Sequence, residues 1–321
     1  MTVVRVIEGS ERSRGLIIRQ TPNHSGQWGD IKFTFDSVSN PDFVVIINFV
    51  PELTVVECSP ENIWAIIQEP PVPNYKWFAK GFGKFSRVYT TDMSLKGTKY
   101  IHTQPALRWY VDKDYDYLKS CQVPDKTRQL SWITSNKKMF KGHQDRLKFL
   151  EKISQVLEID LWGNGFKRIP DKWDGLAPYK YSLAIENYSG LHYWSEKLAD
   201  CFLSYTMPIY YGCVNLSDYF PKESFIWIDI NKPQEAIEII QEAIASQQWE
   251  KNLEAITHAR ELILNEYQFF PFFARQIQEI NSPRSPATRI EFARINHIDL
   301  RYHIQNPAKL IQKLKKSFLS Q

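Results

Sequence analysis

One stretch of the chain, Tyr179-Lys-Tyr-Ser-Leu-Ala-Ile-Glu-Asn-Tyr-Ser-Gly-Leu-His-Tyr-Trp-Ser-Glu-Lys-Leu198, decides how the rest is interpreted. Residues 181–185 form an apolar run typical of a buried strand. The polar pair Glu186-Asn187 ends that run, and a short loop with Gly190 follows. Ser195 can then cap a helix. The stretch therefore predicts a strand, a polar loop and a helix in succession.

This order brings polar groups to the carboxyl end of a strand and the amino end of a helix. Open α/β sheets bind nucleotides at that edge, and the free N–H groups of a helix start favour phosphate. There Glu196 could accept hydrogen bonds from a ribose diol, and Lys197 could supply a point charge for a diphosphate. Tyr193 could stack on the nucleoside. An ordinary helix start with solvated charges explains the same residues equally well, so the chemistry alone leaves both interpretations open.

Further apolar runs extend the α/β pattern on both sides of this stretch. We predict strands at residues 3–7, 43–49, 63–67, 85–90, 130–134, 159–162, 207–211 and 225–228, and helices at 144–157, 193–204 and 233–246. A polar, charged segment at 112–128 separates two such series. The alternation predicts an α/β protein with two doubly wound, Rossmann-like domains that face each other across a cleft.

Composition narrows the class of protein. The chain has 321 residues, and its 40 Lys and Arg against 36 Asp and Glu give a net charge of +4, well short of that of a dedicated nucleic-acid binder. The N-terminal residues do not resemble a signal peptide, and the apolar run at 43–50 is too short to span a membrane. The cysteines lack the spacing of a zinc site and are expected to be reduced thiols. We therefore expect a cytoplasmic protein that does not bind nucleic acid.

The central stretch and its continuation to Asp229 resemble the signature of glycosyltransferase family 10, the α-1,3/α-1,4-fucosyltransferases. The family pattern is Tyr-Lys-Phe-x-Leu-x-Phe-Glu-Asn-Ser, a short spacer, then Asp-Tyr-Val-Thr-Glu-Lys. The retained positions are Glu186, Asn187, Tyr193, Glu196 and Lys197; the departures are Ile185, Tyr188, His192, Trp194 and Ser195. The departures put the identity of the donor sugar in doubt.

The resemblance implies a GT-B-like fold and a set of donor-binding residues. In the family, a strand is followed by Ser-Asn and then by an Arg. Here Thr134-Ser-Asn136 and the later Arg146 resemble that arrangement. Arg gives bidentate phosphate recognition, although a surface Arg on an amphipathic helix is the alternative. The implied donor site is Asn136, Arg146, Glu186, Asn187, Tyr193, Glu196 and Lys197. We expect domain boundaries of 1–125 for the acceptor side, 126–285 for the nucleotide-sugar side and 286–321 for a C-terminal tail.

The resemblance also implies a general base in the first half. Glu69 follows a predicted buried strand and precedes Pro70-Pro71, in the place comparable to that of the family's proposed base. A carboxylate there could deprotonate an acceptor hydroxyl, whereas a solvated loop carboxylate is the other interpretation. The implied reaction is an inverting transfer of L-fucose from GDP-fucose to a galactose/N-acetylglucosamine-type glycan. No metal cofactor is expected to be essential, because cationic side chains can stabilise the leaving diphosphate.

Two alternatives to this function stay open at this stage. The same fold could use another GDP-linked sugar, or the protein could bind carbohydrate without turnover.

The C-terminal residues 307–319 are typical of a basic amphipathic helix, which can lie on the inner surface of an anionic membrane. A helix docked on its own protein through Leu310, Leu314 and Phe318 explains that segment equally well.

Overall fold

The computed structural model describes residues 1–8, 11–50, 52–280 and 285–293. In chain order the strands are β1 (Thr2–Ile7), β2 (Gln27–Trp28), β3 (Ile31–Thr34), β4 (Phe43–Ile47), β5 (Thr54–Cys58), β6 (Ile63–Ile66), β7 (Arg87–Thr90), β8 (Tyr100–His102), β9 (Arg128–Ile133), β10 (Asp160–Trp162), β11 (Tyr179–Gly190), β12 (Met207–Cys213), β13 (Ile226–Trp227) and β14 (Thr288–Phe292). The helices are α1 (Glu11–Ile18), α2 (Tyr115–Ser120), α3 (Lys141–Ile153), α4 (Glu196–Leu203), α5 (Pro233–Ala245), α6 (Gln248–Lys251), α7 (Leu253–Leu262) and α8 (Phe269–Gln278).

The first half forms a seven-stranded sheet in the order β2-β3-β1-β4-β6-β7-β8. Strand β2 is antiparallel to β3, and the other neighbours are parallel. Every residue of β4 is buried, as expected for the centre of a parallel sheet that is covered on both faces. The connections are mostly loops and 3-10 turns rather than long helices; the longest of these turns is Pro73–Lys84.

The second half forms a five-stranded parallel sheet in the order β10-β9-β11-β12-β13. Its core includes the buried rings of Trp132, Tyr181, Trp194 and Phe202. Strand β11 continues past the predicted end at Ile185 to Gly190, with an irregular register between these two residues. The polar residues that the sequence assigns to a loop are therefore held in extended backbone beside β12.

Helix α8 returns the chain to the first half. Its four phenylalanines, Phe269, Phe270, Phe272 and Phe273, belong to the core beneath β1, β4 and β6. The ring of Phe270 lies 5.2 Å from that of Phe33, and the ring of Phe273 lies 5.4 Å from that of Tyr89. Strand β14 also pairs with β5 of the first half. The segment predicted as the second domain thus ends in a helix that completes the first core.

Three of the predictions from the sequence can be compared directly with the structure. The two sheets, parallel apart from β2, confirm the predicted α/β architecture. The charged connection at 112–128 contains the short helix α2, which the sequence analysis does not predict. The predicted basic helix at 307–319 lies outside the described residues. Within the described part of the chain, none of the helices has the length and apolar character needed to cross a bilayer.

The position of Phe273 predicts a large effect of truncation. Its side chain is fully buried against Trp64, Tyr89, Phe269 and Phe272. We expect Phe273→Ala to lower the free energy of unfolding by about 3–5 kcal/mol, because it opens a cavity in the first core. Urea denaturation measures this, with Gln278→Ala on the exposed side of α8 as the control. A loss below about 1 kcal/mol would show that α8 contributes little to that core.

Candidate active site

A cavity of about 870 Å³ lies between the two halves of the protein. The first half contributes the segment from Glu69 to Tyr75, which follows β6. The second half contributes the start of α3 and residues 186–189 of β11. Parallel α/β sheets bind ligands beyond the carboxyl ends of their strands. The cavity is therefore where this fold is expected to hold a substrate.

The start of α3 forms one wall of this cavity through Lys141, Gly142 and His143. Among the described residues, no side chain caps the first N–H groups of this helix. A Cβ atom on Gly142 would lie 1.8 Å from the carbonyl oxygen of Asn187, so only glycine permits this close approach. Uncapped N–H groups at a helix start favour phosphate. Burial and the charge of Arg146 lower the pKa of His143 to about 4, so its ring is neutral at pH 7.

Glu186 forms the floor of the cavity, and its side chain is fully buried. Its Oε2 accepts a hydrogen bond of 2.9 Å from the Nζ of Lys197. Its Oε1 is also buried and finds no hydrogen-bond partner within the described residues. Gly212, with a φ of +156°, packs against the Glu186 side chain where a Cβ atom would meet its Cγ at 2.6 Å. Glu186 is thus fixed on one side and has an acceptor oxygen to spare for a ligand.

Lys197 belongs to a chain of alternating charges behind the cavity. Its Nζ lies 3.6 Å from Glu196, which in turn lies 4.0 Å from the Nζ of Lys172. Lys172 also pairs with the buried Asp200 at 2.7 Å. Burial alone would raise the pKa of Glu196, but the charges of Lys197 and Lys172 hold it at about 2. Burial would lower the pKa of Lys197, yet Glu186 and Glu196 raise it above its usual value. Both groups are therefore charged at neutral pH.

Arg146 lies one layer behind the cavity wall, on the buried face of α3. Its Nη1 donates to the Oδ1 of Asn187 at 2.8 Å, and its Nη2 donates to the carbonyl oxygen of Ser135 at 3.2 Å. Asn187 lines the cavity directly. Burial lowers the pKa of Arg146, and it keeps its charge because an arginine pKa is so high. Arg146 orients Asn187 and adds positive charge beneath the helix start.

The remaining predicted donor residues lie at different depths. Tyr193 is buried, lines the cavity and contacts the Tyr188 ring edge to face at 5.6 Å. Asn136 is not among the cavity-lining residues. Its side chain packs against Gly165, and its backbone N–H donates to the carbonyl oxygen of Asn164 at 3.0 Å. The structure thus brings Glu69, Glu186, Asn187 and Tyr193 to the cavity, sets Arg146, Glu196 and Lys197 behind it, and leaves Asn136 beside the loop after β10.

Glu69 enters the cavity from the opposite half. It lies just beyond β6, is partly buried, and forms a hydrogen bond with the hydroxyl of Tyr75. Burial raises the pKa of Glu69, and the charge of Glu196 adds to that rise. Burial and Glu69 raise the pKa of Tyr75 to about 12, so Tyr75 stays protonated and donates. The carboxylate of Glu69 is therefore positioned and more basic than an exposed one.

Three residues of the site escape the sequence analysis. Tyr75 holds Glu69 and also contacts the Phe140 ring of the other half at 6.4 Å. His143 is isolated in the sequence, and Lys172 lies just before the central stretch, in a segment without a recognisable motif. No local pattern marks them, because only the folded chain brings each of them to its partners. Among the described residues, no group of three or more His, Cys, Asp or Glu side chains is placed to hold a metal ion.

Comparison with known proteins shows what the second half of the chain is similar to. Residues 123–252 match the sequence model of the glycosyltransferase family 10 (fucosyltransferase) C-terminal domain. A 4-galactosyl-N-acetylglucosaminide 3-alpha-L-fucosyltransferase 9 from Bos taurus is 30% identical over 127 residues, which are 38% of this chain and 34% of that protein. An alpha-(1,3)-fucosyltransferase FucT from Helicobacter pylori is 36% identical over 73 residues, which are 22% of this chain and 15% of that protein. The matched region thus covers about a third or less of these relatives.

The fold matches over a longer stretch. A crystal structure of an alpha1,3-fucosyltransferase superposes with a TM-score of 0.51 and 16% sequence identity, and covers 84% of this chain and 91% of that one. This likeness confirms the predicted GT-B arrangement of two facing sheets. The family match confirms the resemblance stated for residues 179–229 and extends it to both sides.

The depressed pKa of Glu196 predicts a specific acid sensitivity. Its pKa is about 2 in the folded protein and about 4.3 in an unfolded chain, so it stabilises the fold above about pH 4.3. That contribution is lost as the pH falls toward 2. We expect Glu196→Gln to lose less stability than the parent protein between pH 5 and pH 3, as measured by urea denaturation. Glu254→Gln, an exposed control on α7, should match the parent. An identical loss in Glu196→Gln would contradict this linkage.

Proposed function

We propose that the protein is an inverting fucosyltransferase, on the premise that residues 123–252 match the C-terminal domain of glycosyltransferase family 10. It transfers L-fucose from GDP-fucose to a hydroxyl of a galactose/N-acetylglucosamine-type glycan. The observation that supports the proposal is the shared cavity. There a carboxylate of raised pKa, Glu69, faces the helix start and the polar end of β11 that belong to the family domain.

The donor lies against the second half in this proposal. The uncapped start of α3 receives the diphosphate, with Lys141 beside it as a further positive charge. Glu186 accepts hydrogen bonds from the donor through its spare Oε1, and Tyr193 lies against the nucleoside or sugar. Arg146 and Lys197 act from the layer behind. They fix Asn187 and Glu186 and supply the charge that stabilises the departing diphosphate.

The acceptor approaches from the first half, where Glu69 acts as the general base. The acceptor oxygen attacks the anomeric carbon from the face opposite the diphosphate and loses its proton to Glu69. A new bond forms between that oxygen and the anomeric carbon, and the bond from that carbon to the diphosphate oxygen breaks. The electron pair leaves with GDP. The transition state has oxocarbenium character, as in glycoside hydrolysis, and the growing negative charge on GDP lies at the start of α3.

The donor assignment predicts selective stabilisation by guanosine nucleotides. A ligand at about 100 times its Kd stabilises the folded state by about 2.7 kcal/mol. We expect a thermal shift with GDP, GDP-fucose and GDP-mannose that is largest for GDP-fucose and absent with UDP- and CMP-sugars. A larger response to GDP-mannose would replace fucose by another GDP-linked sugar. A protein that responds to none of these nucleotides contradicts the proposed donor site and favours a carbohydrate-binding protein without turnover.

Lys197 gives a sharper test of the same site. We expect Lys197→Met to weaken GDP binding about tenfold or more, because the diphosphate then loses the positive charge of Lys197. This variant also leaves a buried charge unpaired, so the double variant Glu186→Gln/Lys197→Met checks whether the fold alone is affected. The double variant should recover stability but not GDP affinity. Lys148→Met, on the exposed face of α3, is the matched control. Unchanged GDP affinity in Lys197→Met would remove Lys197 from the donor site.

The role of Glu69 predicts a separation of binding from turnover. We expect Glu69→Gln to bind GDP with the parent affinity and to lower kcat about 10²–10⁴-fold, because the amide cannot accept the acceptor proton. In the parent, kcat/KM should rise with pH through the pKa of Glu69, above the range of an exposed carboxylate. Product formation at several pH values measures both effects, and Glu57→Gln, an exposed residue of β5, is the control. Normal turnover in Glu69→Gln would exclude it as the base.

A further inference from the structure

A group of polar side chains connects the two halves of the protein at the end of β8. His192 lies between β11 and α4 and directly precedes Tyr193, which lines the large cavity. The Nδ1 of its half-buried ring lies 2.6 Å from the hydroxyl oxygen of Tyr219. That oxygen also accepts hydrogen bonds from the hydroxyl of Thr103 and the backbone N–H of Gln104, which follow β8 in the first half. We call the contact of His192, Tyr219, Thr103 and Gln104 the joint.

The partners of the His192 ring fix which of its nitrogens carries the proton. The Oδ1 of Asn215 accepts the backbone N–H of His192 at 2.8 Å, so the amide of Asn215 presents its Nδ2 to the ring. This Nδ2 lies 3.2 Å from the Nδ1 of His192 and also donates to Asp218 at 2.9 Å. Because the hydroxyl oxygen of Tyr219 already accepts two hydrogen bonds, its own proton points to the same Nδ1. Two donors thus meet Nδ1, so the ring is neutral and carries its proton on Nε2.

Further contacts hold Tyr219 where the end of β8 meets the second half. The hydroxyl of Tyr267 donates to the carbonyl oxygen of Tyr219 at 3.0 Å, and the Nε2 of Gln104 donates to the carbonyl oxygen of Tyr267 at 3.0 Å. The ring of Tyr219 lies 5.6 Å from that of Tyr267 and 6.3 Å from that of Trp194, which belongs to the second core. The ring of Tyr219 is therefore fixed by packing, and its hydroxyl makes the contact that depends on His192.

A proton on the Nδ1 of His192 is incompatible with this contact. The hydroxyl oxygen of Tyr219 would then face three donors, and its own proton would lose its acceptor. Burial and the charge of His102, at the end of β8, lower the pKa of His192, whereas the exposed Asp218 raises it. Burial raises the pKa of the nearby Cys213 thiol to about 12 and also raises the pKa of Tyr219, so both stay protonated. The ring of His192 is therefore neutral at pH 7 and gains its second proton in acid.

We propose that His192 is a positioning residue that makes the joint between the two halves dependent on pH. While its ring is neutral, it holds the hydroxyl of Tyr219 against the end of β8, and Glu69 stays in place opposite the proposed donor site. Protonation of the ring releases this hydroxyl, the halves lose the contact, and transfer slows below neutral pH. The joint itself is argued from these contacts, and its effect on transfer rests on the proposed function.

His192→Asn tests the titration while it keeps an acceptor in the joint. Asparagine tolerates the left-handed backbone of this position, where φ is +63°, and its Oδ1 accepts hydrogen bonds but does not titrate. We measure the ratio of kcat/KM in the parent to that in His192→Asn, with GDP-fucose and N-acetyllactosamine. The titration of Glu69 cancels in this ratio, because both proteins share it. The ratio should be near one at pH 7.5 and about tenfold lower at pH 5, the value of one lost hydrogen bond.

Two further variants accompany this measurement. His258→Asn, at an exposed site on α7, is the matched control, and the ratio of the parent to this variant should not change with pH. Tyr219→Phe removes the hydroxyl and keeps the ring, so kcat/KM should fall about tenfold already at pH 7.5. Adding His192→Asn to Tyr219→Phe should not alter the pH profile any further. A parent to His192→Asn ratio that is equal at pH 5 and pH 7.5, or parent activity in Tyr219→Phe, would overturn the role of the joint.

Urea denaturation separates this inference from the proposed function, because it needs no substrate. The pKa of His192 in the folded protein is lower than its value of about 6.5 in an unfolded chain. Its contribution to stability is therefore complete above about pH 6.5 and is lost as the pH falls below that value. The parent should lose more stability than His192→Asn between pH 7.5 and pH 5. If this difference is present and no fucose is transferred, the proposed function fails and the joint stands; if it is absent, the joint fails.

Discussion

The second half's side of the cavity depends on buried and half-buried charges that must neutralise one another. Three carboxylates, those of Glu186, Glu196 and Asp200, lie at one edge of the second sheet and alternate with two lysines. Removing such ions from water costs several kcal/mol each unless partners lie close by. The positions of these side chains are therefore tightly constrained, because a shift of one of them leaves the charge of its neighbour unpaired. This constraint holds Glu186 still beneath the cavity while its second oxygen stays available to a ligand.

The same charges tie the cavity to the segment that joins the two sheets. Asp200 accepts hydrogen bonds from the backbone N–H groups of Tyr110 and Val111 at 2.8 and 3.3 Å. These residues belong to the connection between β8 and β9. Lys172 bridges Asp200 to Glu196, so one continuous set of contacts runs from the connection to the charges behind the cavity. Helix α8 adds a second tie, because it follows the second half in sequence but packs in the first core.

The local parts of this structure can be predicted from the sequence, and its long-range parts cannot. The apolar run before Glu186 predicts β11, and Ser195 does cap α4, since its hydroxyl accepts from the backbone N–H of Lys197. Periodicity does not say which core a helix joins, so the four phenylalanines of α8 give no sign of their return to the first sheet. Tyr75 escapes for a similar reason: its partner Glu69 is close in sequence, but only the folded turn brings the hydroxyl and the carboxylate together. The family resemblance predicts which residues belong to the site. How deep each of them lies behind the cavity follows from packing, which the sequence does not show.

The proposed chemistry divides between the halves in a way that this packing supports. A base with raised pKa and a strongly charged donor site would interfere if they shared one wall, because the lysines would lower the pKa of a neighbouring carboxylate. Glu69 stands on the opposite sheet, where burial and the charge of Glu196 raise its pKa more than Lys197 lowers it. The hydrogen bond from Tyr75 fixes the direction of the carboxylate and lowers its pKa, but burial outweighs that effect. Separating the base from the phosphate-binding charges keeps both functional at neutral pH, and the two-sheet fold provides that separation.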